Sequence, residues 1–412
     1  MDYKQLKIKN VLVAGHAGSG KTSLVEALLY MNKASERLGK TDDGNTVTDF
    51  EAEEIKRKCS LSSAVAPFEY RDAKFNMIDV PGLFDFELGL YEGVKAAEAV
   101  LLTVSAKDGV EVGTQKAYKL AEKNKKGTMI YVSKVDVENA DFYKVFEELK
   151  ATFGPKICPT SVPVVTDRGT VYIDLIEFKA YTYKNGKAEE VMMPATGHRL
   201  DGLVTSMMEA VAETDEELFE KYFSGEQFTK AEIIKGIKAG FKAGTITPVM
   251  CGSSTALEGL DLTLETLYAL VPSPEDTEGT ELLIGDTEVT LPFNENSQVA
   301  ALVFKTVADP FVGKMSFVKV LSGNLKSDSN VVNTTTGEPE RMGKVLFVRG
   351  KKQMDADYIK AGDIGAVTKL ANAKTGDILC DPQNEYKYPK FEFPTPTLEM
   401  CIKPKKKGEE AK

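Results

Sequence analysis

No stretch of this chain approaches the ~18 consecutive apolar residues that a membrane-spanning helix needs, although 42% of its 412 residues are hydrophobic. With 28% of residues charged, this is the balance of an ordinary soluble globular protein with room for more than one core. Cysteine is sparse. Cys59, Cys158, Cys251, Cys380 and Cys401 are odd in number and widely scattered, and no two have metal-ligand spacing, so they read as reduced cytoplasmic thiols. The opening residues MDYKQLKIKN lack both the charged start plus apolar block of a signal peptide and a transit-peptide composition. Positive charge is in deficit: 52 Lys and Arg against 62 Asp and Glu give a formal −10, which argues against nonspecific coating of DNA or RNA. Two short basic runs, Arg349–Lys352 and Lys403–Lys407, are candidates for a local contact with an RNA-rich partner, and solvated surface is the plainer reading of both.

The first 150 or so residues alternate short apolar runs (Ile8–Ala14, Phe75–Val80, Ala99–Val104, Thr128–Val132) with helical patterns at Thr22–Met31 and Thr114–Asn124. That alternation predicts an α/β fold with a doubly wound, mostly parallel sheet. From about 160 to 245 the texture changes. Val171–Tyr183 and Ala188–Met193 flank an Asn185-Gly186 hairpin turn, and helical patterns follow at Asp201–Glu213, Glu216–Tyr222 and Lys230–Ala243. Ile246–Cys251 and Leu260–Leu270 then resume the first texture, so 160–245 reads as an α+β subdomain inserted into a first domain of residues 1–275. Residues 276–298, rich in Glu, Asp, Thr and Pro, suit a linker. Residues 299–385 are short strands separated by glycine turns, the pattern of a small all-β barrel. Residues 386–412 read as a further linker and, at Pro394–Lys403, the first strand of a third domain. A lone strand is not stable, so the chain reads as a piece of a longer protein.

Gly15, His16, Ala17, Gly18, Ser19, Gly20, Lys21 and Thr22 spell G-x-x-x-x-G-K-[ST] between a strand and a helix. Glycines let backbone N–H groups converge on phosphate oxygens, and the helix N-terminus adds partial positive charge. Lys21 would reach the β and γ phosphates, and Thr22 would offer its hydroxyl to Mg. Asp79-Val80-Pro81-Gly82 ends a second strand; Asp79 would hold Mg through water, and the Gly82 N–H would sense the γ phosphate. Ser133-Lys134-Val135-Asp136 follows a third strand. Asp136 would accept from N1–H and the exocyclic amine of guanine, donors that adenine lacks, while Lys134 lies along the base. Cys251-Gly252-Ser253-Ser254 ends a fourth strand, and its small residues would let N–H groups approach the guanine O6.

In this order the four segments resemble the nucleotide-binding set of the translational GTPases, most closely the elongation factor G family with its paralogues and ribosomal protection proteins. Residues 161–246 fill the place of that family's insert, 299–381 are similar to its second domain, and LEMCIKPK resembles the opening of its third. The resemblance implies a monomeric GTPase that uses GTP, GDP and Mg2+ and works on the ribosome. It also implies a Mg-reaching hydroxyl at Ser60, within Arg57-Lys58-Cys59-Ser60-Leu61, where the family has Arg-Gly-Ile-Thr-Ile. Three more departures stand out: Gly18 for Asp, Ser133 for Asn, and Leu83 for the His that follows D-x-P-G. The alternative is a GTP-binding, ribosome-associated switch with little hydrolysis. His198, in the insert, reads as a solvated or packing side chain.

Overall fold

The computed structural model describes residues 5–195, 198–309, 313–395, 398–401 and 403–405. Its centre is a seven-stranded sheet built from β1 (Lys7–Gly15), β2 (Ala64–Tyr70), β3 (Ala73–Asp79), β4 (Ala99–Ser105), β5 (Gly127–Ser133), β6 (Ile157–Pro159) and a later strand at Thr247–Cys251, here β11. The order is β2-β3-β1-β4-β5-β11-β6, and every pairing is parallel except the β2–β3 hairpin. Helices cover the sheet, among them α1 (Lys21–Met31), α3 (Leu88–Ala96), α4 (Val112–Lys123), α5 (Phe142–Phe153) and α9 (Leu260–Leu270), and a short helix α2 (Ala52–Arg57) precedes β2. Strands covered on both faces are continuously apolar, which is why β4 (AVLLTVS) is buried at every position. The four motif segments leave the C-terminal ends of β1, β3, β5 and β11. That is the edge where open α/β sheets hold ligands.

The insert carries a four-stranded antiparallel sheet, β7 (Ser161–Thr166), β8 (Gly169–Asp174), β9 (Lys179–Lys184) and β10 (Lys187–Val191). Both Asn185 and Gly186 have positive φ, 51° and 73°, the geometry of a type I′ turn. Three helices follow, α6 (His198–Ala212), α7 (Glu216–Phe223) and α8 (Lys230–Ala243). A Thr229/Glu232 capping box starts the last, and Gly244 at φ 75° ends it.

The reading of 276–298 needs correcting. The stretch 276–298, read as linker, contains a hairpin of Thr280–Ile284 with Thr287–Leu291, which also pairs with Tyr386–Lys387. Its strands are short and half exposed, so they lack the apolar run that marks a strand in sequence. At the other end, no strand forms among the described residues of 394–405, and Leu398 and Met400 are exposed. That agrees with the instability expected of a lone strand and leaves the reading of this stretch as the start of a third domain an expectation.

The second unit is an eight-stranded antiparallel sheet with a two-stranded ribbon, Asn324–Lys326 with Tyr358–Lys360. Its long central strands, Ala300–Asp309 and Gly313–Ser322, bury both faces. Ala301, Val303, Val318 and Val320 join an interior cluster with Leu325, Ile359 and Val367, whereas Ala300, Leu302, Phe304 and Phe317 join the core of the first domain.

Polar contacts fix that junction. Lys74 on β3, with no solvent exposure, lies 2.8 Å from Asp363 Oδ1, and Asp363 is equally buried. Asn76 Nδ2 donates to Asp363 Oδ1 (2.9 Å) and to Asn10 Oδ1 (2.7 Å), and Asn10 Nδ2 donates to the Gly362 carbonyl (2.8 Å). Burial lowers the Lys74 pKa, and Asp363 opposes that shift. Removing one partner of a buried pair costs about 3–5 kcal/mol, much more than replacing both by apolar residues. Asp363→Ala should therefore lower the unfolding free energy from urea titration by that order, with a lower midpoint, and the double variant Lys74→Met/Asp363→Leu should recover most of it. An unshifted midpoint in Asp363→Ala would show that the pair carries no weight.

Candidate functional site

Gly15, Gly18 and Gly20 have φ of 144°, 76° and 95°, values that side chains rarely tolerate. A Cβ on Gly15 would also sit 2.4 Å from the Thr103 carbonyl. Ser19 Oγ lies 2.6 Å from Thr103 Oγ1, pinning the loop to β4. Lys21 is buried and donates to its own loop, at the carbonyls of His16 (2.7 Å) and Gly15 (3.2 Å). Burial pulls its pKa down to about 8 against the opposing pull of Asp79 and Asp49. Gly82 closes on the same loop: a Cβ there would be 2.3 Å from Lys21 Nζ and 2.7 Å from the Ala17 nitrogen. Val80 and Pro81 are buried beneath it.

Asp79 gathers hydroxyls. Its Oδ2 accepts from Thr22 Oγ1 (2.9 Å) and Thr48 Oγ1 (2.8 Å), and Ser60 Oγ lies 3.2 Å from Thr22 Oγ1. Among the described residues, Asp79 Oδ1 and both carboxylate oxygens of Asp49 are buried without a partner in hydrogen-bond geometry. Burial first, then the charge of Asp49, raise the Asp79 pKa to about 7, and burial raises that of Asp49, a shift that the Ser60 hydroxyl moderates. Buried anionic oxygens without partners are costly. A hard divalent cation among them and the hydroxyls of Thr22 and Ser60 would satisfy them, so the residues present fit Mg2+.

Thr48 and Asp49 escaped the sequence reading because no strand or glycine turn frames them. What places them is Glu26, fully buried on α1. Its Oε1 accepts from the Val47 N–H at 2.6 Å, while its Oε2 is buried with no hydrogen-bond partner among the described residues. A Cβ on Gly39 would lie 2.2 Å from Glu26 Oε2, so glycine permits the approach. Burial pushes the Glu26 pKa up to about 7.

On the other side of the loop, Ser133 Oγ donates to the Ser19 carbonyl at 2.6 Å, and Lys134 Nζ donates to the Gly18 carbonyl at 2.7 Å. The short hydroxyl thus reaches the phosphate loop. Asp136 is exposed and accepts from Thr255 Oγ1 at 3.4 Å. Ser253 and Ser254 are buried, the first bonded to Thr255 and the Ala256 N–H, the second facing Tyr131 OH at 3.4 Å. Thr255, one step past the segment singled out in sequence, joins the two halves of this pocket.

This geometry agrees with what known proteins have in common with the chain. A family model of the Elongation factor Tu GTP binding domain matches residues 6–273, and one of Elongation factor G domain 2 matches residues 298–382. The chain belongs to the elongation-factor-G-like family of translational GTPases. It is similar at 32% identity and a TM-score of 0.81 to the crystal structure of ttk003000868 from Thermus thermophilus. That match covers 92% of this chain and 55% of the Thermus chain, so the chain spans about half the length of its relative.

Within this elongation-factor-G-like site, Leu83 sits directly after Gly82 and is 37% exposed. It lines a small apolar recess with Ala14, Gly82, Phe84, Glu87 and Lys116. Glu87 there is paired with Lys116 at 3.3 Å. The His16 side chain turns toward α4: Nδ1 accepts from the Gly113 N–H (3.2 Å), Nε2 lies 3.2 Å from Glu111, and the ring meets Phe84 edge-on. The side chain of His198 lies outside the described residues.

Glu26→Met removes the acceptor that the Val47 N–H faces while keeping similar side-chain volume. Hydrogen exchange at the Val47 amide should then speed up by roughly tenfold, the size expected for losing one hydrogen bond. Unchanged protection there would mean that Glu26 does not anchor this segment.

Proposed function

We propose that the chain binds GTP and GDP with Mg2+ and hydrolyses GTP in a ribosome-linked cycle of the translocation type in the cytoplasm. The observation that carries this reading is the convergence of Lys21, Thr22, Ser60, Asp79 and Gly82 around partnerless buried carboxylate oxygens. Lys21 would exchange its two carbonyl acceptors for the β and γ phosphates, a better match for an ammonium. The loop N–H groups of Gly15 to Thr22 would hold the phosphate oxygens, and the Gly82 N–H would meet the γ phosphate. When bound, Mg2+ would offset the charge on the β and γ phosphates. Opposite, Asp136 would accept from the two guanine donors, with Lys134 along the base and the Ser253–Ser254 backbone near O6.

Guanine selectivity is the first expectation. Fluorescent GDP should bind at least about a hundredfold tighter than the adenine analogue, because guanine offers the Asp136 carboxylate two charge-assisted hydrogen bonds that adenine lacks the donors to make. Asp136→Ala should erase the difference. Equal affinities in the unmutated protein would end the reading of this pocket as a guanine site.

Leu83 favours a second reading, a ribosome-associated GTP switch of the rescue or protection kind with slow turnover. Hydrolysis needs a group that orients the attacking water, and Leu83 has neither donor nor acceptor. Glu87 is engaged by Lys116 and His16 by Glu111, which leaves the exposed Asp85 as the other acid that would have to take its place. A missing positioned acid–base group costs about 10²–10⁴-fold. Single-turnover hydrolysis with saturating ribosomes should therefore be slow, and Leu83→His should raise it by at least about tenfold. A fast rate in the unmutated chain with no gain in the variant would favour the first reading alone.

A further inference from the structure

We infer that Lys305, a residue of the second domain, is a positioning residue for the nucleotide site, holding the loop that carries Ser60. The inference rests on the reading of Ser60 as part of that site. Lys305 lies on the strand Ala300–Asp309, whose side chains alternate between the barrel interior and the first domain. Strict alternation from Ala301 and Val303 would aim Lys305 into the apolar interior. The pairing with the neighbouring strand slips between Val303 and Lys305, where Val303 faces Val318 and Lys305 faces Phe317. A bulge of this kind re-aims a side chain, and here it turns the lysine toward the first domain next to Phe304.

There Lys305 is buried, 6% exposed. Its Nζ donates to Ser62 Oγ at 2.6 Å and to the Ser63 carbonyl. Ser63 Oγ in turn donates to Glu92 Oε2 at 3.2 Å, and Glu92 is a buried carboxylate of α3. From within the first domain the same loop is held by Glu54, whose Oε1 accepts from the N–H groups of Leu61 (3.0 Å) and Ser62 (3.2 Å). Ser60 thus sits just ahead of a corner fixed by one carboxylate of its own domain and one ammonium of the other. A second cation of the barrel domain, Arg349, is buried and donates to the carbonyls of Ala34 (2.7 Å) and Pro67 (2.8 Å). The Gly350 N–H adds a bond to the Val65 carbonyl (3.0 Å). Both flanks of the segment that contains Thr48, Asp49 and Ser60 are therefore tied to the second domain. Arg349 is thereby removed from the basic run read as a possible RNA contact.

The plainer alternative is that Lys305 only glues two domains together. Lys319 provides the comparison: it pairs with Glu98 across the same junction, away from the residues between Thr41 and Ser63. Lys305→Met, Lys319→Met and Ser62→Ala would be made in the full chain. Ser62→Ala removes one acceptor without leaving a charge unpaired, so it serves if Lys305→Met does not fold. Two readouts apply: release of fluorescent GDP as a function of Mg2+ concentration, and trypsin cleavage of the nucleotide-free protein at the exposed Arg57 and Lys58. Lys305→Met should speed GDP release at limiting Mg2+ and cleavage by about tenfold, as loss of a charge-assisted bond predicts. Ser62→Ala should act in the same direction more weakly, and Lys319→Met should leave both unchanged. Equal effects of the two lysine variants, or none from Lys305→Met and Ser62→Ala, would overturn the inference. If the unmutated chain binds no guanine nucleotide, the reading of the site fails, and the cleavage rates still decide whether Lys305 holds the loop.

Discussion

A single carboxylate oxygen, Asp79 Oδ2, accepts from two hydroxyls that the chain delivers by different routes. Thr22 arrives on the first turn of α1, and Thr48 on a segment with little regular structure. That convergence ties the end of β3 to the phosphate loop and to the stretch that carries Asp49 and Ser60. It also crowds two carboxylates, Asp79 and Asp49, into a buried space with partnerless oxygens. Such a cluster is expensive while nothing offsets its charge, and the raised pKa values of both acids express that cost. A cation bound here would relieve a penalty already built into the fold, a condition in which occupancy can change how firmly the surrounding segments are held.

The anchoring of those segments is shared between domains. Within the first, Glu26 and Glu54 accept backbone N–H groups of the stretches beside Thr48 and Ser60. From the second, Lys305 and Arg349 donate to side-chain and backbone oxygens at Ser62, Ser63, Ala34 and Pro67. Acceptors therefore come from one domain and donors from the other. A short loop alone could satisfy neither set, since it would have to fold its own carboxylates and cations onto itself.

The sequence carried the α/β fold class and the phosphate loop openly, because periodicity and glycine spacing are local signals. Buried strands such as β4 and capped helices such as α8 are visible for the same reason. Less visible were β2, α5 and α3: Pro67 breaks the apolar run of β2, exposed charges punctuate the apolar face of α5, and α3 buries a charged residue. That residue is Glu92, sheltered at 8% exposure. The hairpin within 280–291 was hidden by its charged, half-exposed strands. Thr48, Asp49 and Glu26 could not be found by spacing, since their roles exist only where distant segments meet. One cue was present in outline: a glutamate in the middle of α1, among Leu24, Val25, Ala27 and Leu28, lies on a helix whose other buried residues are apolar or belong to the loop. A charge in that position needs a partner, and the one it finds is the Val47 N–H.

The contacts between the two domains differ in their access to water. Lys74 and Asp363 have no exposure at all, whereas Lys125–Glu281 and Lys123–Glu392, which tie the hairpin and the C-terminal stretch to α4 and the turn after it, are largely exposed. Dissolved ions screen exposed charges over about 8–10 Å at ordinary ionic strength and scarcely reach buried ones. Rising salt therefore loosens the periphery, at residues 281 and 392, while the central clasp at Asp363 keeps its hold. The junction between the domains is in this sense an electrostatic contact that the surrounding electrolyte cannot tune.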